Sequence, residues 1–278
     1  MATLESIFLT ASLAGVALTM VMTVSAFLGS RRNDTDTAGG KPGHIASILA
    51  RVVTFITLGC ITFTIIFRTV QTGYGPFSNM YEFALAFSWG IVSIGLIFEW
   101  RYKTAAAKNV GLIIALVLII FATVQHAKPE PLIPALQQSL LLSVHVAAAV
   151  VAYGALTIGF GAAVLFLIRH KRSITWLPDD AVLDAMSYQS VIMGFPFLTL
   201  TIILGALWAD IAWGRYWGWD PKETASLVTW LLFAAYVHAR IMRGWRGRKA
   251  AVLIIIGFAA ILLTFFGNYI FSGLHAYR

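Results

Sequence analysis

Six histidines, one cysteine and nine tryptophans carry most of the chemistry open to this 278-residue chain. Five of the tryptophans (Trp208, Trp213, Trp217, Trp219 and Trp230) fall within 23 residues. Four of them belong to the run Trp-Ala-Asp-Ile-Ala-Trp-Gly-Arg-Tyr-Trp-Gly-Trp-Asp-Pro-Lys-Glu at 208–223. Indole rings at this density make a stacking surface for a flat apolar ligand, although an aromatic belt at headgroup level collects the same residue types. Three details favour a ligand. Gly214 and Gly218 alternate with the rings and allow the backbone to come close. Asp220-Pro221 reads as an N-cap followed by a first-turn proline, which ties the loop to a helix. Arg215, Asp220, Lys222 and Glu223 gather in one loop of a chain with only 12% charged residues. Stacking area beside a few cations suits a large planar ligand with acidic substituents, with Arg215 or Lys222 meeting an acid group.

Composition sets the elements that must position these residues. The chain is 59% hydrophobic, too apolar and too poor in charge for a water-soluble, disordered or disulfide-stapled protein. Eight mostly apolar stretches are long enough to span a bilayer, at about 4–29, 50–70, 81–100, 109–126, 139–168, 187–208, 223–243 and 250–271. The first has neither a basic start nor a small-residue cleavage site and precedes Arg31-Arg32, so it reads as a retained span. The expected fold is an all-α polytopic membrane protein, one membrane domain over 1–278 with an outer tryptophan-rich loop at 208–223. Fifteen of the twenty Lys and Arg residues lie in one alternate set of loops and five in the other. The positive-inside rule puts the richer set in the cytoplasm and both termini outside. Orientation thus accounts for the net charge of +8, and no nucleic-acid partner is needed.

Helical rise then places the histidines. His145 is 24 residues from Arg169 and His275 is 26 from Lys249, roughly 36 and 39 Å of helix at about 1.5 Å per residue. Both emerge at the outer surface, level with the tryptophans. Each is a weak signal alone. Together, two imidazoles at one depth beside an aromatic loop are what axial ligation of a haem iron needs. His238 stands two residues before Arg240, in the cytoplasmic half of the seventh span, where an ionisable side chain is costly and points to function. His126 reads as interfacial, and His44 and His170 as solvated inner-loop residues. Cys60 is alone, so the chain has no CxxC pair and no internal disulfide. Glu82 and Asp210 read equally as proton handlers or as capping and interfacial groups.

Trp-Gly-Trp-Asp-Pro-Lys-Glu-Thr at 217–224, with Tyr-Val-His-Ala-Arg at 236–240, resembles the WWD signature of the haem-handling cytochrome c biogenesis proteins. Leu-Ser-Val-His-Val at 142–146 and Gly-Leu-His-Ala-Tyr at 273–277 are similar to that superfamily's two external histidine segments. Gly-Pro-Phe-Ser-Asn-Met-Tyr-Glu at 75–82 is similar to a further motif of the CcsA (ResC) branch, the integral subunit of the system II cytochrome c synthase. The likeness runs from about residue 50 to 278.

The resemblance implies haem delivery and covalent attachment of haem b to apocytochrome c at CxxCH motifs on the outer face. It implies a CcsB (ResB)-type partner subunit and, since the chain cannot reduce a disulfide, a thioredoxin-like thiol–disulfide protein. His145 and His275 would be the external axial ligands, and His238 a ligand of an intramembrane haem. Trp213, Trp217, Trp219 and Asp220 would form the platform; with haem as the ligand, the acid group expected from the charges alone to meet Arg215 or Lys222 is a propionate. No second intramembrane ligand is evident in this chain; in fused relatives it lies in the part corresponding to the partner. The expected location is the bacterial inner membrane, with the thylakoid membrane as alternative. Rival readings are a cytochrome b-type electron-transfer subunit, a haem exporter without covalent chemistry, and a glycan-handling membrane enzyme.

Overall fold

The structure, a computed structural model, describes residues 2–32, 42–75, 78–125, 139–172, 174 and 177–270. Eight helices follow one another: α1 (Ala2–Arg32), α2 (Pro42–Thr72), α3 (Met80–Tyr102), α4 (Ala106–Val124), α5 (Ser139–Arg172), α6 (Asp180–Trp213), α7 (Pro221–Met242) and α8 (Arg248–Ile270). All eight are long and apolar enough to cross a membrane, and the described residues contain no strand. The chain is an all-α, multi-pass membrane protein.

Several helices outrun their apolar stretches. Hydropathy marks only the part that suits hydrocarbon, whereas a helix continues wherever its polar side chains find partners. α6 starts at Asp180, where Arg169 of α5 donates to Asp179 at 2.8 Å and also pairs with Asp180. At its other end α6 runs through Trp213, so the tryptophan-rich connection proper is only residues 214–220. Gly214, with φ +70°, ends α6 by donating its N–H to the Asp210 carbonyl at 2.8 Å. Its glycine serves helix termination rather than approach to a ligand.

Lipid tails are as apolar as leucine, so close packing and polar contacts associate these helices rather than exclusion from water. α5 is the hub, packed on α3, α4, α6 and α8. Where it crosses α3, a Cβ on Gly90 would lie 2.7 Å from the Val150 carbonyl oxygen, and one on Gly154 would lie 2.9 Å from the Gly90 backbone. The two backbones touch because neither position carries a side chain.

α1 and α2 pack on each other and dock on α3 and α4. Polar contacts at three levels hold this hairpin. At the tryptophan-rich end, buried Arg68 donates from Nε to Glu82 Oε1 at 2.8 Å, and Tyr81 donates to Glu5 Oε1 at 2.6 Å. At mid-span Trp89 Nε1 donates to Thr62 Oγ1 at 2.9 Å. At the opposite end Glu99 accepts from Arg51 at 3.1 Å and forms an ion pair with Lys108 at 2.7 Å. Glu82 also accepts from the Ser78 amide and hydroxyl at 2.9 and 2.7 Å, while Asn79 caps α3 by accepting from the Glu82 amide. Glu82 is buried rather than solvated at an interface, and its carboxylate serves the start of α3 and the ion pair with Arg68. The contacts also explain the polar residues of 75–82, since Ser78, Asn79, Tyr81 and Glu82 all belong to this clamp.

Removing one member leaves a buried charge without its counter-charge. Arg68→Met should cost about 3–5 kcal/mol in mixed-micelle denaturation, and Arg68→Met with Glu82→Gln should recover part of it. Equal destabilisation in the single and double variants would contradict the clamp.

Candidate functional site

At the tryptophan-rich end, α3, α5, α6, α7 and α8 surround a cavity of about 130 Å³ that opens to the outside. The upper wall carries His145 and, one and two turns further along α5, Ala149 and Tyr153. Phe83 and Phe87 face them from α3, and Thr264 and Phe265 from α8. Trp208, Tyr216 and Trp217 close one side, beside Lys222 and Glu223 of α7.

His145 is held by α6. Its Nδ1 lies 2.8 Å from the Thr201 carbonyl oxygen. A carbonyl can only accept, so Nδ1 carries the proton and the lone pair sits on Nε2, the form that ligates a metal. The ring fits because residue 205 has no side chain: a Cβ on Gly205 would stand 2.9 Å from His145 Cε1. Gly205 and Thr201 are four residues apart, one helical turn, so the notch and the acceptor come from the same face of α6.

The turn into α7 is organised by two carboxylates. Asp220 is the N-cap, accepting from the Lys222 amide at 2.9 Å, and Glu223 completes the capping box by accepting from the Asp220 amide at 3.2 Å. Glu223 Oε2 also accepts from the Gly218 amide at 2.7 Å, so one carboxylate binds both sides of the turn. Trp219 sits between them at φ +57°, the left-handed region that costs a side-chain-bearing residue about 1–2 kcal/mol. The strain turns Trp217 towards the cavity and Trp219 away, their rings meeting edge to face at 5.8 Å.

The residues singled out in the sequence therefore separate. His145, Trp217 and Lys222 line the cavity. Trp213 stands behind, edge-on to Trp208 at 4.9 Å. Trp219 is 69% exposed, at the rim. Asp220 is buried and acts as a cap. Arg215 is exposed, with its guanidinium folded over Gly218, where a Cβ would meet Nε at 2.8 Å. Arg215 does not line the cavity, and Gly218 makes room for that side chain. His275 lies outside the described residues, as does His126. His170 is on the last turn of α5, with Nδ1 3.2 Å from Asp180.

His238 is at the opposite end and faces outwards. Arg240 fixes this orientation: it donates twice to Asp184 of α6, at 3.0 and 2.6 Å, and lies over the Tyr188 ring. Two residues are roughly 200° apart on a helix, so an inward Arg240 forces an outward His238.

Sequence reasoning missed Gly205, Thr201 and Tyr153. Tyr153 was accessible, because 145, 149 and 153 recur every fourth residue on one face of α5. Thr201 contributes a backbone carbonyl, for which no side-chain pattern exists.

Glu223→Ala removes the acceptor of two turn amides. It should cost about 1–2 kcal/mol and speed proteolysis within 214–220, with helical circular dichroism unchanged. Unaltered cleavage would contradict this account of the turn.

Comparison with known proteins gives a consistent result. The family described as cytochrome C assembly protein matches residues 77–275, which takes in α3 to α8. The chain is 34% identical over 281 residues to the cytochrome c biogenesis protein CcsA of Chlamydomonas reinhardtii, covering 93% of this chain and 79% of that protein. It is 37% identical over 250 residues to CcsA of Guillardia theta, covering 79% and 83%. It is 35% identical over 266 residues to CcsA of Prochlorococcus marinus (strain MIT 9301), covering 84% and 85%. Among solved structures, cytochrome c heme lyase CcmF shares the fold, with a TM-score of 0.67 at 18% identity over 95% of this chain. The chain spans 46% of that protein's length. The chain belongs to the cytochrome c assembly protein family, in its CcsA-type branch.

Proposed function

We propose that this chain takes haem b as substrate in the cavity beside the tryptophan-rich turn. There, on the outer side of the membrane, it presents haem for covalent attachment to apocytochrome c. The observation that carries the reading is His145: an imidazole held in its metal-ligating tautomer, in a wall of aromatic rings, next to Trp217. The second axial ligand is His275, five residues beyond the end of α8. Trp217 and Trp208 offer stacking surface, and the surrounding apolar side chains exclude water.

In the reaction each cysteine S–H of the CxxCH segment adds across one vinyl C=C. Sulfur bonds the carbon next to the ring and hydrogen the terminal carbon, so atoms balance without net oxidation. The chain contributes by positioning, which brings reacting groups to high effective concentration and can be worth several kcal/mol. As no cysteine pair is present, a thioredoxin-like protein keeps the acceptor thiols reduced.

His238 belongs to a second, intramembrane haem site completed by a CcsB (ResB)-type partner. An imidazole on the outer face of a spanning helix is costly against lipid and is relieved by a neighbouring subunit or a metal. That the chain's own helices turn it away from the bundle supports a shared site.

Co-expression with the partner and a reporter apocytochrome c tests the reading. Covalent haem on the reporter should fall at least about tenfold in His145→Ala and His275→Ala, the loss expected for an interaction worth 1.4 kcal/mol or more. Gly205→Val should do the same by unseating the ring. Attachment retained in both histidine variants overturns the ligand assignment. Haem bound without any transfer to the reporter favours export instead. His238→Ala should lower haem content in the purified complex, and an unchanged Soret band would count against the intramembrane site.

A further inference from the structure

The cavity contains two hydrogen-bond donors that no described residue satisfies. Trp217 Nε1 is buried and has no hydrogen-bond partner among the described residues. Lys222 lines the same cavity, and among the described residues its ammonium makes no hydrogen bond and no ion pair; it lies 5.5 Å from the centre of the Phe83 ring. The nearby carboxylates are committed elsewhere. Glu223 accepts from the Gly218 and Asp220 amides, and Asp220 accepts from the Lys222 amide. Arg215, the other cation of the turn, is outside on the surface.

An indole N–H shut away from water without an acceptor is unfavourable, and an ammonium against aromatic walls with no carboxylate in ion-pair contact among the described residues is more so. Both groups are donors only. What satisfies them together is an acceptor-only anion small enough to sit between an indole and an ammonium. A carboxylate is such a group, and its charge-assisted bonds are about twice as strong as neutral ones.

We infer that Trp217 Nε1 and Lys222 Nζ form a carboxylate subsite that takes one acidic side chain of the bound ligand. The inference rests on the haem reading and deepens it. One propionate is anchored at the start of α7, and the vinyl-bearing edge, on the far side of the porphyrin, is turned away from Lys222 towards the space where the acceptor peptide must come. The site therefore discriminates by the acid group as well as by the metal and the ring.

The experiment compares iron protoporphyrin IX with its dimethyl ester, which keeps iron, ring and vinyls and removes both charges. Each is titrated by Soret absorbance into the purified full chain in neutral detergent. The free acid should bind wild type about tenfold more tightly or better than the ester, the ratio expected for one charge-assisted contact. Lys222→Met and Trp217→Phe should each narrow that ratio, and circular dichroism and thermal melting matching wild type certify that the variants are folded. Equal affinity of the two porphyrins for wild type overturns the subsite and leaves the haem reading standing. A ratio unchanged in Lys222→Met overturns it as well. If neither porphyrin gives a Soret shift with wild type, the haem reading fails and the subsite falls with it.

Discussion

The candidate site depends on one hydrogen bond across two helices, from His145 of α5 to the Thr201 carbonyl of α6. It fixes the tautomer, and with it the ring nitrogen that holds the lone pair. It also fixes the ring plane, because the imidazole lies in the notch that Gly205 leaves open. The bond forms only if α5 and α6 hold their register, and these two helices share the longest packed seam in the molecule. Rigid neighbours are what a metal-ligating side chain needs, since a displacement of about 1 Å in a supporting shell is enough to spoil a site.

The bilayer explains how the rest is held. Without water to drive apolar surfaces together, the family's six-helix unit from α3 to α8 and the α1–α2 hairpin are joined by charges and hydrogen bonds. Glu5, Arg68, Tyr81 and Glu82 lock one end, Arg51, Glu99 and Lys108 the other. The first of these locks holds the start of α3, which also supplies Phe83 to the cavity wall. The hairpin therefore stabilises one side of the site without lining it.

α7 connects the two ends of the molecule. Its first turn is set by Asp220 and Glu223, which aim Trp217 inwards and leave Lys222 in the cavity. Its last turns are set by Arg240 on Asp184, which sends His238 to the outer surface. One helix thus carries an enclosed group at one end and an outward imidazole at the other. The rotation of a single rigid element decides both, so a proposed haem on the outer face of α7 and another in the cavity would be fixed relative to each other.

The sequence by itself determined the number of spans, the Asp-Pro start of α7, and the residues from which a site is assembled. Those features are local. A run of about twenty apolar residues and an Asp-Pro helix start each act within a single segment of chain. Tertiary structure decided which way each side chain points. Lys222 entered the cavity and Arg215 stayed outside, though only seven positions separate them. Glu82 met Arg68, and His238 turned outwards because Arg240 turned in. The reason is that a helix in lipid carries no strong stripe of polarity to reveal its inner face. Its rotation is set by packing against neighbours, and the sequence of one helix does not contain its neighbours.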